Sequence, residues 1–292
     1  MPGSIIAVVN MKGGVGKTTT VVSLSETLAA LDGEPVLVID VDAQASASYC
    51  LAGDEVLTKL IREDRTVDAY FEAALLYGPR KSMTELICNQ VSDVTHRGEN
   101  LNLSLLASSS ELRITEREII HKLTERGFSL NAIEGQTERL LRKDLNELRD
   151  CYKYIIIDCA PGISAFTAAA IRVADLVVVP TIPDFLSHLG LTAFVKRVIR
   201  ENRPQNDHRL PRVLITKKRP TVQHNEYLRL MREMAARPGS EFYVLNTVVP
   251  ETAALPRALE LIGEYPTYGQ KYPPPLAGLL RDLAEELKEA LT

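Results

Sequence analysis

Short apolar runs alternate with longer amphipathic segments along most of the chain. The apolar runs predict strands at 4–10, 35–40, 153–158, 175–180, 212–216 and 241–249, with a weaker candidate at 101–108. Because these runs lack polar alternation, both faces of each strand should be buried, as in a parallel sheet. Helical spacing is found between them, at 17–31, 136–150, 187–201, 223–236, 252–262 and 276–291. The alternation predicts an α/β fold with a doubly wound, mostly parallel sheet flanked by helices.

Two stretches interrupt this alternation. Residues 54–100 and 109–134 fit it poorly, and we predict that they are helical insertions. We expect one domain over residues 1–292, because no internal repeat, low-complexity tract or clear linker divides the sequence. The proline cluster at 272–276 should set the entry to the last helix.

Composition narrows the class of protein. The chain is 45% hydrophobic and 25% charged, which is typical of a soluble globular protein. A net charge of −4 argues against a generally basic nucleic-acid-binding surface, although a local basic face is compatible with it. The four cysteines form no C-x-x-C pair, which argues against a disulfide scaffold or zinc site and favours a reducing cytosol. Neither a signal peptide nor an apolar run long enough to span a membrane is apparent, so we expect a cytoplasmic protein.

Residues 10–20 read NMKGGVGKTTT and lie between a predicted strand and a predicted helix. A strand, a glycine-rich turn and a helix in this order are the context of a phosphate-binding loop. Gly13, Gly14 and Gly16 allow the backbone to curl so that successive N–H groups point at phosphate oxygens. The positive amino end of the following helix adds to the attraction. The loop is therefore a candidate nucleotide-binding site.

Two lysines distinguish this loop. Lys17 should reach the β- and γ-phosphates, and the adjacent Thr18 hydroxyl should ligate Mg²⁺. The usual pattern, G-x-x-x-x-G-K-[ST], has glycine where this chain has Met11, so the match is a variant, and it carries the additional Lys12. The loop residues predicted to contact nucleotide are Lys12, Gly13, Gly14, Val15, Gly16, Lys17, Thr18 and Thr19.

Aspartates lie at the ends of two further predicted strands. In VLVIDVDAQASAS, Asp40 ends a strand and Asp42 follows two residues later, so the two side chains share a face. In YIIIDCAPG, Asp158 ends an apolar strand, which is the Walker B form of a carboxylate that binds Mg²⁺ through water. Because the carboxyl ends of parallel strands meet at one edge of a sheet, these carboxylates should lie close to the phosphate loop.

The segment KGGVGKTTT resembles the deviant Walker A motif of the ParA/MinD family of P-loop ATPases. The similarity extends over nearly the whole chain, through both aspartate segments and residues 102–112, 175–191, 214–218 and 247–263. In that family the lysine at the position of Lys12 reaches across a nucleotide-sandwich dimer to the partner's ATP. Electrostatics favour the same role for Lys12. A loop that already holds Lys17 and Mg²⁺ gains little from a second cation on the same phosphates, whereas a cation at its outer edge can neutralise charge at an interface.

The resemblance implies roles for the other candidates, with ATP and Mg²⁺ as cofactors. Asp42 would position or deprotonate the attacking water, and Asp40 would hold a magnesium-bound water. Ala43 replaces the proline of the family's D-x-D-P-Q segment, which should leave this loop less stiff. The implied catalytic residues are Lys12, Lys17 and Asp42; the magnesium residues are Thr18, Asp40 and Asp158; the base-contacting residues are Thr216, Lys217 and Pro250.

Three functions are compatible with this resemblance. The first is an ATPase that positions cargo, binds DNA non-specifically as an ATP dimer and is released when a partner stimulates hydrolysis. The second is a MinD-like membrane ATPase, but the polar face of the predicted helix at 278–292 carries four acidic and two basic residues, whereas a helix on anionic lipid should be basic. The third is an enzyme on the same scaffold, such as an iron–sulfur reductase or a biotin-pathway synthetase. None of the cysteines has the paired, glycine-rich setting that a cluster needs.

The charge distribution favours the first function. Residues 190–219 contain nine basic and two acidic residues in a chain whose net charge is −4. Such a concentration suits sequence-independent contact with phosphates. The residues predicted to contact DNA are Lys196, Arg197, Arg200, Lys218 and Arg219. The expected partners are a second copy in the presence of ATP, non-specific DNA, and an activating protein that is ParB-like or a cargo adaptor. No membrane is expected, and the ATP state should associate with the nucleoid.

Overall fold

A computed structural model describes residues 2–78, 81–203, 207, 209–260 and 267–292. Its strands are β1 (Ser4–Val8), β2 (Val36–Val41), β3 (Thr95–His96), β4 (Glu99–Asn100), β5 (Leu103–Leu106), β6 (Tyr154–Cys159), β7 (Leu176–Thr181), β8 (Arg212–Lys218) and β9 (Tyr243–Pro250). Within the described residues, seven of them form a sheet in the order β5-β2-β6-β1-β7-β8-β9, whose pairings are parallel. The strands β3 and β4 pair antiparallel with each other.

Helices cover both faces of this sheet. They are α1 (Lys17–Asp32), α2 (Ser46–Arg62), α3 (Val67–Glu72), α4 (Met83–Leu86), α5 (Leu112–Glu125), α6 (Leu130–Leu148), α7 (Ala165–Val173), α8 (Phe185–Phe194), α9 (Val222–Ala235), α10 (Ala254–Glu260), α11 (Tyr268–Lys271) and α12 (Leu276–Leu291). Two π-helical segments, Ala73–Tyr77 and Val195–Arg200, continue α3 and α8.

Alternate residues of each central strand point into two separate hydrophobic cores. In β1, Ile5 and Ala7 face a core shared with α3 to α9, whereas Ile6 and Val8 face a core shared with α1, α2 and α10 to α12. Both faces of the sheet are thus covered, as the uninterrupted apolar runs predict. The prediction of a doubly wound parallel sheet is confirmed.

The strand order places the candidate site at the carboxyl ends of the central strands. The chain passes from β1 through α1 on one face, and from β6 through α7 on the other, so the connections diverge around the adjacent pair β1 and β6. In open α/β sheets, ligands bind outside the carboxyl ends of the strands at such a point. The loops after β1, β2 and β6 meet there.

The boundaries differ from the sequence predictions in several places. The weak candidate at 101–108 is a strand, although shorter than predicted. The sequence did not indicate α7 or residues 46–53 of α2, whereas residues 54–62 of α2 lie in a predicted helical insertion. The stretch 109–134 is helical, as predicted. The stretch 54–100 contains helical segments together with the β3–β4 hairpin, which was not predicted. Of the helix predicted at 252–262, the last two residues lie outside the described ranges.

Candidate nucleotide-binding and hydrolysis site

The loop between β1 and α1 has the backbone of a phosphate cradle. Gly14 and Gly16 have φ angles of 73° and 89°, a region that glycine adopts without steric cost. A Cβ added at Gly13 or Gly14 would meet no described atom within 4 Å, so the space over the loop is open. Gly16 is the N-cap residue of α1, and glycine has no side chain to cap the first N–H groups of the helix. Phosphate oxygens fit this position.

Lys17 provides a buried cation at the base of this loop. Its Nζ lies 3.3 Å from the carbonyl oxygen of Lys12, and its side chain is largely buried. The pKa of Lys17 is lowered, because burial lowers it by more than the negative charges of Asp158 and Asp42 raise it. The ammonium group therefore lies between the loop carbonyl and the carboxylates, where the phosphates of a bound nucleotide would offset its desolvation.

Asp40 and Asp158 lie side by side at the carboxyl ends of β2 and β6. They are register partners in the sheet, and both are fully buried. Burial raises the pKa of Asp40 to about 6, and burial together with the neighbouring Asp40 charge raises the pKa of Asp158 well above its usual value. Two buried carboxylates on neighbouring strands repel each other, and a divalent cation would offset this repulsion.

The donor set at this point fits Mg²⁺. The Thr18 hydroxyl donates to Oδ2 of Asp158 at 2.8 Å, whereas Oδ1 of Asp158 is buried and has no hydrogen-bond partner among the described residues. An oxygen in that position can accept from a magnesium-bound water. Within the described part of the chain, no group of three or more His, Cys, Asp or Glu side chains is arranged to hold a metal. Mg²⁺ keeps several waters and binds through one or two carboxylates and substrate phosphates, and the Thr18 hydroxyl and the Asp158 carboxylate are ligands of the kind it takes.

Asp42 lies at the mouth of the site in a loop fixed by hydrogen bonds. Its own N–H donates to Oδ1 of Asp40 at 3.1 Å, and its carboxylate accepts from the N–H of Gln44 at 3.0 Å. The N–H of Ala45 donates to the Asp42 carbonyl at 2.8 Å, and Ala45 has a φ of 50°. These bonds restrain a loop that the sequence predicts to be less stiff because Ala43 replaces a proline.

Lys12 points away from its own loop. Its Nζ forms an ion pair with Oδ2 of Asp184 at 2.8 Å, with the two side chains 41% and 30% exposed. Oδ1 of Asp184 accepts from the Ser187 N–H at 2.7 Å and so caps α8. Burial alone would raise the pKa of Asp184, but the hydrogen bonds from Lys12 and Ser187 outweigh it and lower this pKa. Sequence reasoning missed Asp184, whose signal was an aspartate three residues after a strand and at the start of a helix.

The predicted base-contacting residues line one cavity beside the loop. Thr216, Lys217 and Pro250 border a cavity of about 150 Å³ together with Gly16 and Thr19. The Thr216 hydroxyl donates to the Val15 carbonyl at 2.8 Å, which joins the end of β8 to the phosphate loop. A nucleotide base fits this position, because the cavity opens beside the helix end that would hold the phosphates.

Ion pairs occupy much of the basic segment 190–219. Arg203 is buried and pairs with Asp207 at 3.0 Å, and Arg209 pairs with both Asp207 and Asp175. At the other end of the segment, Arg219 pairs with Glu251. The net charge of the segment therefore overstates the number of cations available to an external anion.

The residues predicted to contact DNA do not form one continuous patch. Lys196 lies 3.9 Å from Glu241, and Arg200 donates to the Asp207 carbonyl, which places both toward the amino ends of the strands. Lys218 is the last residue of β8, so Lys218 and Arg219 lie at the opposite, carboxyl ends of the strands. Arg197 borders a groove that also contains Lys12.

Among the described residues, no helix combines the length and apolar character needed to cross a bilayer. The last helix, α12, packs its leucines on α1 and β9, with Leu280, Leu283 and Leu287 buried. Its apolar face is thus covered by the protein itself.

A family described as "AAA domain" matches residues 3–208 of this chain. An uncharacterized protein of Mycobacterium tuberculosis is 29% identical over 293 residues, which cover 98% of this chain and 79% of the relative. The chromosome partitioning protein ParA of Caulobacter vibrioides is 31% identical over 204 residues, 68% of this chain and 63% of that protein. The chain belongs to the AAA-domain family of ParA-like ATPases. The predicted family membership is therefore confirmed, and the fold and the P-loop agree with it.

Solved structures show the same fold. A putative plasmid partition protein from Borrelia burgdorferi, bound to AMPPNP, has a TM-score of 0.69 and 20% identity, and the match covers 98% of this chain and 99% of that one. Cobyrinic acid a,c-diamide synthase from Mycobacterium smegmatis, with bound ADP and magnesium, has a TM-score of 0.67 and 22% identity, covering 98% and 94%. At these identities the likeness supports the fold alone.

Proposed function

We propose that the protein is a Mg²⁺-dependent ATPase of one domain that dimerises on ATP and positions or partitions cargo. In this proposal the ATP dimer binds DNA without sequence preference, and a partner protein stimulates hydrolysis. The observation that carries it is the combination of a complete phosphate loop with Lys12, which turns outward onto Asp184 instead of toward its own loop. Membership of a family whose relatives include chromosome partitioning proteins supports it.

Each group at the site has a distinct task in hydrolysis. The glycine loop and Lys17 would hold the phosphates, and Thr18, Asp40 and Asp158 would hold Mg²⁺ directly or through water. The metal would neutralise phosphate charge. Asp42 orients the attacking water and accepts its proton. One positioned carboxylate gives slow turnover, so stimulation by a partner is expected.

Lys12→Ala is expected to remain monomeric with a non-hydrolysable ATP analogue, because the cation that reaches the second nucleotide is lost. Lys17→Ala should lose nucleotide binding itself. Asp184→Asn keeps an oxygen that can cap α8 but removes the charge that holds Lys12, so it should dimerise at least as well as the wild type. Size-exclusion chromatography with light scattering measures all three, with the exposed Lys59→Ala as control. Normal dimerisation of Lys12→Ala would show that Lys12 has another role.

DNA affinity in the ATP state should fall by about 10²–10³ when salt is raised fourfold, if about five phosphates are engaged. The two ends of the basic segment are tested separately, by Lys196→Glu with Arg200→Glu and by Lys218→Glu. Lys59→Glu is the matched control, since Lys59 is exposed and lies outside the segment. Fluorescence anisotropy with a duplex of arbitrary sequence is the measurement. The end whose reversal weakens binding without affecting dimerisation is the DNA surface.

The alternative is a MinD-like membrane-associated regulatory ATPase, which shares the same nucleotide site. It predicts ATP-dependent binding to anionic vesicles and not to DNA. Wild-type protein that sediments with such vesicles and leaves duplex DNA free would favour it. The four cysteines are free, and no two of them have the C-x-x-C spacing, so their arrangement does not favour the cluster-reductase alternative.

A further inference from the structure

A buried serine on α2 joins three parts of the site. The side chain of Ser48 is fully buried, and its hydroxyl lies 2.7 Å from Oδ2 of Asp40. The backbone N–H of Ser48 donates to the same oxygen at 2.9 Å. The N–H of Ser108, just beyond β5, donates to the Ser48 hydroxyl at 2.9 Å. One side chain therefore links the ends of β2 and β5 to the first turn of α2.

The direction of these hydrogen bonds is fixed by the backbone. A peptide N–H can only donate, so the Ser48 oxygen accepts from Ser108, and an ionised carboxylate can only accept, so the Ser48 hydroxyl donates to Asp40. Asp40 accepts three bonds in total, two on Oδ2 from Ser48 and one on Oδ1 from the Asp42 N–H. A carboxylate with three fixed donors has little rotational freedom.

The position of the Asp42 backbone depends on these hydrogen bonds of Asp40. Its peptide N–H is anchored to Asp40, and the loop that follows it enters α2 only four residues later, at Ser46. Ala45 has a φ of 50° in this loop, a conformation that a residue with a Cβ adopts only when its surroundings hold it there. Release of Asp40 would free both ends of the Asp42 loop.

We propose that Ser48 is a positioning residue for ATP hydrolysis, acting through Asp40 to hold the backbone of Asp42. This inference rests on the proposed function, in which Asp42 orients the attacking water. Ser48 itself does not touch nucleotide. A simpler role is structural: Asp40 caps the first turn of α2 by accepting from the Ser48 N–H, and the hydroxyl only stabilises that cap.

Turnover and nucleotide affinity separate these two roles. Ser48→Ala removes the donor to Asp40, and Ser48→Cys keeps the side-chain shape but is a weak donor. Both are expected to lower kcat by about 10- to 100-fold, because small misplacements of a catalytic group have effects of this size. The KM for ATP should stay within about threefold, since the phosphate loop is unchanged. Thermal unfolding, measured on the same samples, reports the cost to stability.

Ser25→Ala is the matched control. Ser25 is also a fully buried helical serine, but its hydroxyl donates only to the Val22 carbonyl in its own helix. It should retain wild-type kcat. Wild-type kcat in Ser48→Cys, or a parallel loss of kcat and ATP affinity in both Ser48 variants, would overturn the positioning role. If Asp42→Ala hydrolyses ATP normally, the assignment of Asp42 is at fault instead, and the two failures are thereby distinguished.

Discussion

Asp42→Ala is expected to reduce ATP hydrolysis by at least about 100-fold while leaving ATP binding intact. The carboxylate of Asp42 lies at the mouth of the site, outside the phosphate loop, so it has no part in holding the triphosphate. Its carboxylate accepts from the Gln44 N–H, and its backbone N–H donates to Asp40. In the proposed mechanism, removal of this carboxylate would leave the attacking water unoriented.

Steady-state phosphate release and the affinity for a fluorescent ATP analogue measure the two effects independently. Asp42→Asn should be nearly as inactive, because an amide cannot take the proton of the attacking water. Asp54→Ala is the control, since Asp54 is an exposed acid on α2. Hydrolysis at the wild-type rate in Asp42→Ala would remove this residue from its assigned role, whatever the result with the Ser48 variants.

The sequence predicts the sheet and the centre of the site well, because both depend on local patterns. Uninterrupted apolar runs specify strands that are buried on two faces. The order of strand, glycine-rich loop and helix around residues 10–20 predicts a phosphate-binding loop. Asp40 and Asp158 follow from the same logic. They end adjacent parallel strands, and the register places them as direct neighbours.

Two local features explain why α7 and the first half of α2 were not predicted from the sequence. α7 is apolar on nearly all sides, with eight of its nine residues buried, so it lacks the polar face by which an amphipathic helix is recognised. α2 contains Gly53 at a φ of 70° and a ψ of 173°, where its helical pattern is interrupted by a kink.

Contacts between distant residues are also invisible in the sequence. Lys12 and Asp184 are 172 residues apart, and nothing in the phosphate loop indicates that its first lysine has a partner on α8. The same holds for the basic segment, where a sum of charges does not reveal that Arg203 and Arg209 are paired with carboxylates. A charge count predicts an electrostatic surface only for side chains that have no partner within the fold.

A buried ion pair secures the helix that carries the phosphate loop. Lys271 on α11 pairs with Glu26 on α1 at 2.8 Å, with the two side chains 5% and 1% exposed. The Tyr272 hydroxyl donates to the other oxygen of Glu26 at 2.7 Å, and Tyr268 bonds to Thr27 on the same helix. α11 is thus clamped onto α1 by polar contacts inside an otherwise apolar core.

Lys271→Met is expected to lower the free energy of unfolding by about 3–5 kcal/mol, because Glu26 would keep a buried charge without its counter-ion. The double variant Glu26→Gln with Lys271→Met removes both charges and should recover most of that loss. Lys288→Met is the control. Lys288 on α12 pairs with Asp32 at the end of α1 at 2.7 Å, and this pair lies near the surface. Surface ion pairs contribute about 0–1 kcal/mol to stability. Urea unfolding with equal m values measures the differences. Two results would contradict this prediction. The first is a free energy of unfolding for Lys271→Met within about 1 kcal/mol of the wild type. The second is a double variant that is no more stable than Lys271→Met alone, and either result would show that Lys271 does not offset the buried charge of Glu26.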